Sequence, residues 1–235
     1  MPSEEFRFLR FTVRQDRCAM KVGTDSLVFG AWVGIGDALR ILDIGTGTGV
    51  LALIAAQRAP QAEVHAVEID DAAAQQAAEN AAASPWAGRI RVHRMDIRRM
   101  RSDAPFDLIL CNPPYYSGSS PSIGSRARLA KHGAELTFPE LLSAVEGLLA
   151  PEGRFAVIIP ADREAELLAR ARGHALFPRR RCLLSYVAHR PPKRVMLELA
   201  RQPGAIHEER LTVEGAGPKS FTPEASALVK DLVVR

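Results

Sequence analysis

"LDIGTGTGVLAL", residues 42–53, is the stretch on which the reading of the fold turns. An apolar run leads into three glycines, Gly45, Gly47 and Gly49, and a second apolar run leaves them. Glycines placed where a strand turns into a helix let backbone come close to a ligand and leave helix N-terminal amides facing it. The spacing is G-x-G-x-G. The dinucleotide fingerprint needs its third glycine one residue later, where this chain has Val50. Taken alone, such a loop is also compatible with a plain turn that holds no ligand.

Outward from that loop the chain alternates. Strand-like apolar runs fall at 39–44, 64–69, 90–95, 108–111 and 155–159. Between them lie helical patterns. Residues 71–83 are alanine-rich, with Asp71 expected as N-cap. "TFPE", residues 137–140, has the form of a capping box, and Leu141, Leu142, Val145, Leu148 and Leu149 follow at helical spacing until Pro151 and Gly153 end the run. Strand–helix–strand alternation predicts an α/β fold: a doubly wound, mostly parallel, seven-stranded sheet with helices on both faces. Runs at 182–187 and 194–199 are expected to form an antiparallel hairpin at one edge. A last helix is expected to start at Thr222-Pro223. No repeat or linker divides the chain, so a single domain over 1–235 is expected.

Composition excludes several classes. With 47% hydrophobic residues the chain can build one sizeable core. A net charge of +4 points only weakly to a nucleic-acid partner. Cys18, Cys111 and Cys182 follow neither a paired nor a metal-ligand spacing, which suits a reducing cytoplasm, and the six histidines show no metal spacing. No metal is expected. The N-terminus carries no apolar signal region, and the longest uncharged apolar stretch, residues 44–56, is too short to span a membrane.

Further residues converge on one sheet edge. The second strand ends in "VEID", which places Glu68 where a carboxylate accepts from both hydroxyls of a ribose. The third ends in "RMDI", which puts Asp96 at the same edge, although a turn aspartate reads as well there. The fourth ends in "NPPYY", residues 112–116. Two prolines cannot continue a sheet, but they make a stiff corner that holds Asn112 and Tyr115 in fixed directions.

"LDIGTGTG", "VEID", "RMDI" and "NPPYY" together resemble the motifs of class I S-adenosylmethionine-dependent methyltransferases, which have a Rossmann-like fold. The segments "DRCAMKVGTDSLVFGAW", residues 16–32, and "NAAASPWAGRIRVHRMDI", residues 80–97, resemble the bacterial enzymes that N6-methylate adenosine 37 of valine tRNA. The likeness runs over residues 6–200. It implies S-adenosylmethionine as cofactor, held by Lys21, Gly23, Thr24, Asp25, Asp43, Gly45, Gly47, Gly49, Glu68, Ile69, Asp96, Ile97 and Asn112. It also implies three segments: 1–37 covering the cofactor, 38–200 as catalytic core and 201–235 as a C-terminal extension.

In that reading the amine of adenine is a poor nucleophile whose lone pair is delocalised into the ring. It needs alignment with the methyl donor and acceptors for its N–H bonds. The Asn112 side-chain oxygen and the Pro113 carbonyl can supply them and stabilise the positive charge that develops. Tyr115 can stack on a base flipped out of its stack.

The partner implied is tRNA. Tyr116, Arg126, Arg128 and Lys131 lie in the polar loop that follows. From residue 167 to 197 there is no Asp or Glu, while Arg179, Arg180, Arg181, Arg190, Lys193 and Arg194 crowd the span. An unmixed basic run suits phosphate contact, though an ordinary basic surface has the same composition. Monomer and homodimer both remain open. The competing readings are a protein glutamine-amide methyltransferase, which shares the Asn-Pro-Pro-Tyr corner, a non-catalytic RNA-binding module, and, more remotely, a dehydrogenase.

Overall fold

A computed structural model describes residues 4–18, 20–113, 136–215 and 220–233. Two short strands, β1 (Glu5–Arg7) and β2 (Thr12–Arg14), pair antiparallel as a separate ribbon. Helix α1 (Thr24–Trp32) leads into β3 (Arg40–Ile44), α2 (Val50–Arg58), β4 (Glu63–Glu68), α3 (Asp71–Ala82) and β5 (Ile90–Arg94). Then come β6 (Phe106–Cys111), α4 (Phe138–Leu148), β7 (Leu149–Pro160), α5 (Glu164–Ala171), β8 (Phe177–Ser185), β9 (Arg194–Ala200), β10 (His207–Thr212) and α6 (Pro223–Val229).

The main sheet has the order β10-β8-β9-β7-β6-β3-β4-β5. Strands β5, β4, β3, β6 and β7 run parallel, and β9 is antiparallel to both β7 and β8. The central strands are apolar on both faces, as helices on both sides demand. Ile41, Val64, Ala66, Leu108 and Leu110 pack with α1, α2 and α6; Leu42, Ile44, Val67, Ile109 and Cys111 pack with α4 and α5. From β3 the chain winds outward through β4 to β5, then returns to β6 on the other side of β3. That reversal opens a crevice at the carboxyl ends of β3 and β6, where open α/β sheets take their ligands.

The sheet has eight strands rather than the expected seven, and the β8–β9 hairpin is not at its edge. Strand β10, "HEERLT", pairs parallel to β8 outside it. It is charged and has no buried residue, as suits an edge strand, so it lacks the apolar signature that marks the others. The N-cap of α3 is Asp70, not Asp71: its carboxylate accepts from Ala73 N at 2.9 Å. The expected capping box at the start of α4 is present, with Thr137 and Glu140 bonded reciprocally. Thr222 caps α6 and Pro223 opens it. Among the described residues no helix is long and apolar enough to cross a membrane.

Candidate active site

The glycine loop is built by the strand ends around it. Gly45 and Thr46 both donate backbone N–H bonds to Val67 O, which ties the loop to the end of β4. Gly49 is the left-handed N-cap of α2, with φ 83°, a conformation that side chains other than glycine's rarely adopt, and it lies close against Ala77 of α3. That is why the third glycine stands at 49 and not 50. Gly47, with φ 55°, has only open space where its Cβ would be, so the loop offers bare backbone toward the crevice.

Two carboxylates face this loop. Glu68, at the end of β4, accepts from Gly47 N, Ile69 N and Asp70 N, each at 2.9 Å. Asp43, in β3, is fully buried. One of its oxygens accepts from the Thr46 hydroxyl, and the other has no close hydrogen-bond partner. Burial above all pushes its pKa up to about 7, against the pull of the Thr46 hydroxyl and of the Ala52 backbone N–H, and the Glu68 charge adds to the rise. A buried, half-satisfied carboxylate is costly unless something completes it. Asp43, Glu68 and the open glycine backbone therefore fit a ligand with a cationic group and hydroxyls.

Asn112 follows β6 at the same level, since Ile44 is paired with both Cys111 and Val67. Its side-chain Nδ2 donates to Ser26 Oγ at 3.1 Å. Pro113 beside it is buried. Ser26 belongs to the first turn of α1, and so does Asp25, which accepts from the Tyr186 hydroxyl and, at 2.9 Å, from Arg194 Nε. The "KVGTD" segment is thus fastened to β6 on one side and to the β8–β9 hairpin on the other. Lys21 and Gly23 are exposed, Thr24 is half-buried, and Gly23 gives α1 no side-chain cap.

Asp96 is placed differently from its neighbours. It caps the turn Ile97–Arg99 and holds the Arg98 guanidinium through both oxygens, and that hydrogen bonding keeps its carboxyl below the usual range. Arg98 also reaches Glu140 of the α4 capping box at 2.8 Å. Asp96 therefore spends its charge on a strut between β5 and α4. Ile69 is exposed beside Glu68, and Ile97 is buried.

The basic span is unmixed in sequence but mixed in space. Arg180 pairs with Glu209 at 2.6 Å and Glu198 at 3.4 Å, donates to Trp32 O and lies over the Trp32 ring. Arg181 pairs with Glu164 and Glu208. Arg194 is bound to Asp25, and Arg179 donates to the carbonyls of Gln202 and Pro203. The acids come from α1, α5, β9 and β10, outside the acid-free window, so the picture of a bare cationic face does not hold for Arg180, Arg181 and Arg194. Arg190 and Lys193 are exposed, in the turn joining β8 to β9. That turn stands at the carboxyl edge, because β9 begins opposite the end of β7. Tyr115, Tyr116, Arg126, Arg128 and Lys131 lie outside the described residues.

Three participants escaped the sequence reading. Ser26 and Tyr186 are an ordinary helix serine and a strand-end tyrosine, with no local signal. Asn80 left one: a polar residue in an alanine-rich helix, one turn after Gln76. Fully inside, it donates to Thr48 O and Arg14 O and accepts from Arg14 N, clamping the N-terminal segment to the glycine loop. Burial, reinforced by the charges of Glu68 and Asp70, pushes the Cys18 thiol up to about 12, which removes it as a nucleophile. No group of His, Cys, Asp and Glu among the described residues could hold a metal ion.

The family model for the methyltransferase small domain matches residues 31–164. Over 236 aligned residues the chain is 42% identical to a tRNA1(Val) (adenine(37)-N6)-methyltransferase of Tolumonas auensis, covering 100% of this chain and 99% of that one. A Bacteroides fragilis protein of the same name is 43% identical over 89% of each chain. Among solved structures, one described as a predicted O-methyltransferase from Agrobacterium tumefaciens superposes with a TM-score of 0.66 at 21% identity, covering 88% of this chain and 95% of that one. At that identity the likeness speaks to the fold alone.

Proposed function

We propose, from the premise that this chain belongs to the methyltransferase small-domain family, that it transfers a methyl group to the exocyclic N6 of adenosine 37 in valine tRNA. The observation that carries this reading is the match, along essentially the whole chain, to relatives of that name. The site supports it. S-adenosylmethionine supplies an activated methyl on a sulfonium centre. Asp43, Glu68 and the backbone of Gly45, Gly47 and Gly49 would hold it, with Ile69 offering an apolar surface and residues 1–37 lying over it.

Asn112 then works on the nucleophile. With its Nδ2 on Ser26, its Oδ1 is the end left to accept from the adenine amine. The Pro113 carbonyl takes the second N–H. Both acceptors strengthen as the nitrogen becomes positive, so they favour the transition state over the ground state. No base is needed before attack, and holding amine and methyl in line supplies much of the rate. Tyr115 would stack on the flipped adenine. The exposed Arg190 and Lys193, at the carboxyl edge, are the described cations best placed for tRNA phosphates, and Arg126, Arg128 and Lys131 would join them.

The test is methyl transfer from labelled S-adenosylmethionine to bulk tRNA of a strain lacking the homologous enzyme, followed by nucleoside mapping. Label at N6 of adenosine 37 in valine tRNA is the expected result. Label on a glutamine-containing peptide and none on tRNA would replace this reading with the glutamine-amide one.

A further inference from the structure

We infer that Asn80 is a positioning residue for the cofactor: from α3 it sets the Thr48–Gly49 peptide of the glycine loop, and the docked N-terminal segment in turn sets Asn80. The inference rests on the cofactor half of the function proposed above. It starts from the loop's composition. Gly45, Gly47 and Gly49 all have positive φ, and a loop so rich in glycine has many other conformations open to it. Hydrogen bonds choose this one. The first half of the loop is tied to β4, through Gly45 N and Thr46 N on Val67 O and Gly47 N on Glu68. In the second half one peptide is held at both ends. Gly49 N donates to Thr46 O at 2.9 Å, and Thr48 O accepts from Asn80 Nδ2 at 2.8 Å. Turned over, that peptide would lose both bonds and send its carbonyl where its N–H now points.

Asn80 can hold a peptide only if its own carboxamide is held. Its partners are backbone groups that act one way only, so its orientation is fixed. Nδ2 faces two carbonyls, Thr48 O and, at 2.9 Å, Arg14 O. Oδ1 faces the Arg14 N–H, also at 2.9 Å. Reversed, the carboxamide would set oxygen against two carbonyls and N–H against N–H. The side chain is 3% exposed, so water does not stand in for a lost partner. The backbone of Arg14 thereby fixes how Asn80 meets the loop.

Gln76 supplies an internal comparison. It lies one turn earlier on the same face of α3 and is fully buried. It holds the same N-terminal segment, accepting from Arg17 N at 3.1 Å and donating to Asp16 at 2.6 Å. Among the described residues it makes no bond to the glycine loop. Two buried carboxamides thus dock one segment on one helix, and Asn80 alone of the two reaches the loop that would carry the cofactor.

Calorimetry with S-adenosylhomocysteine on the full chain separates them. Asn80→Ala should weaken binding by about tenfold, the scale of one hydrogen bond. Gln76→Ala should stay within about twofold of the wild type, although it too loosens the N-terminal segment and lowers the thermal midpoint. In transfer to tRNA, Asn80→Ala should raise the KM for S-adenosylmethionine by a similar factor and leave kcat at saturation within about twofold. Unchanged affinity in Asn80→Ala would overturn the inference. Equal losses in the two variants would overturn it as well, because they would place the effect in the docking of the segment and not in the loop.

A second readout needs no variant. An opening of the Asn80 contact that costs tenfold in affinity must, by reciprocity, become about tenfold rarer under saturating ligand. Saturating S-adenosylhomocysteine should therefore slow hydrogen exchange at the Asn80 side-chain amide of the wild type by about that factor, and leave the Gln76 amide within about twofold. Equal changes at the two amides, or none at Asn80, would overturn the inference. A wild type that bound S-adenosylhomocysteine but methylated no tRNA would remove the function proposed above and leave Asn80 in its role. One that bound no S-adenosylhomocysteine would remove both.

Discussion

Asp43 and Arg180 are both charged side chains on strands of one sheet, and the protein treats them in opposite ways. Arg180 is surrounded by Glu209, Glu198, the Trp32 carbonyl and the Trp32 ring. Asp43 is wholly buried beside the Glu68 charge, with one oxygen unpartnered. Where charge is matched by its neighbours it holds the fold together. Where it is left unmatched inside, at a sheet's carboxyl edge, it marks a candidate ligand site. The difference separates the β8 arginines from the glycine-loop carboxylates more cleanly than composition can.

The largest effect should come from the corner that follows β6. Asn112→Ala should lower methyl transfer by about 10²–10³-fold, the range for removing one oxyanion-type stabilising group. S-adenosylhomocysteine affinity, read by calorimetry, should change little. Lost affinity in proportion to lost rate would make Asn112 a binding residue only.

Arg180→Gln sharpens the other half of the comparison. It leaves Glu198, which is 4% exposed, without its nearest cation on β8. Stability should fall by roughly 2–3 kcal/mol, seen as a thermal midpoint lower by roughly 5–10 °C. The tRNA affinity of the folded protein and its salt dependence should stay as they are. A stable variant with weakened tRNA binding would return Arg180 to the RNA interface.

Glu68→Ala should weaken cofactor binding by about 1.5–3 kcal/mol, or about 10- to 100-fold, through the lost ribose acceptor and the loosened Gly47 amide. Unchanged affinity would take Glu68 out of the site.

Asp43 adds a pH dependence. In the unfolded chain its carboxyl ionises near 4; in the folded protein it holds its proton up to about 7. Its contribution to stability is therefore complete below pH 4 and is lost as the pH rises through 7. Asp43→Asn should remove that decline and raise the thermal midpoint of the ligand-free protein at pH 8. Cofactor binding should run the other way, weakening up to about tenfold as wild type goes from pH 7 to 6, because a cationic ligand needs the carboxylate. A flat profile would mean the orphaned oxygen serves no cation.

The smallest effect is expected from Arg190→Ala combined with Lys193→Ala. Taking two cations away from the tRNA phosphates should reduce the salt slope of binding by about two, with only a modest change in affinity at low salt. An unaltered slope would place the phosphate grip elsewhere.

The fold was legible where a periodic signal met a turn signal. The glycine loop, "VEID" and the capping box at Thr137 each carry their meaning within a few residues, and each was found where expected. β10 was not legible, because an edge strand of "HEERLT" has no apolar period to detect. The placement of the candidate site residues Glu68 and Asn112 at strand ends was legible for the same reason the strands were. What failed to show was pairing across the sheet. The window from 167 to 197 looked bare of acids because Glu164, Glu198, Glu208 and Glu209 lie outside it and return only through strand order and, for Glu164, through the packing of α5 on β8. Ser26 was hidden likewise, since its meaning is a contact with a residue 86 positions away.

The central claim is that the carboxyl edge between β3 and β6 takes S-adenosylmethionine. Titrating the wild-type protein with S-adenosylhomocysteine and, separately, with NAD in a calorimeter measures it directly. The account predicts saturable binding of one S-adenosylhomocysteine per chain and no heat with NAD. Tight binding of NAD, or none of S-adenosylhomocysteine, would contradict it.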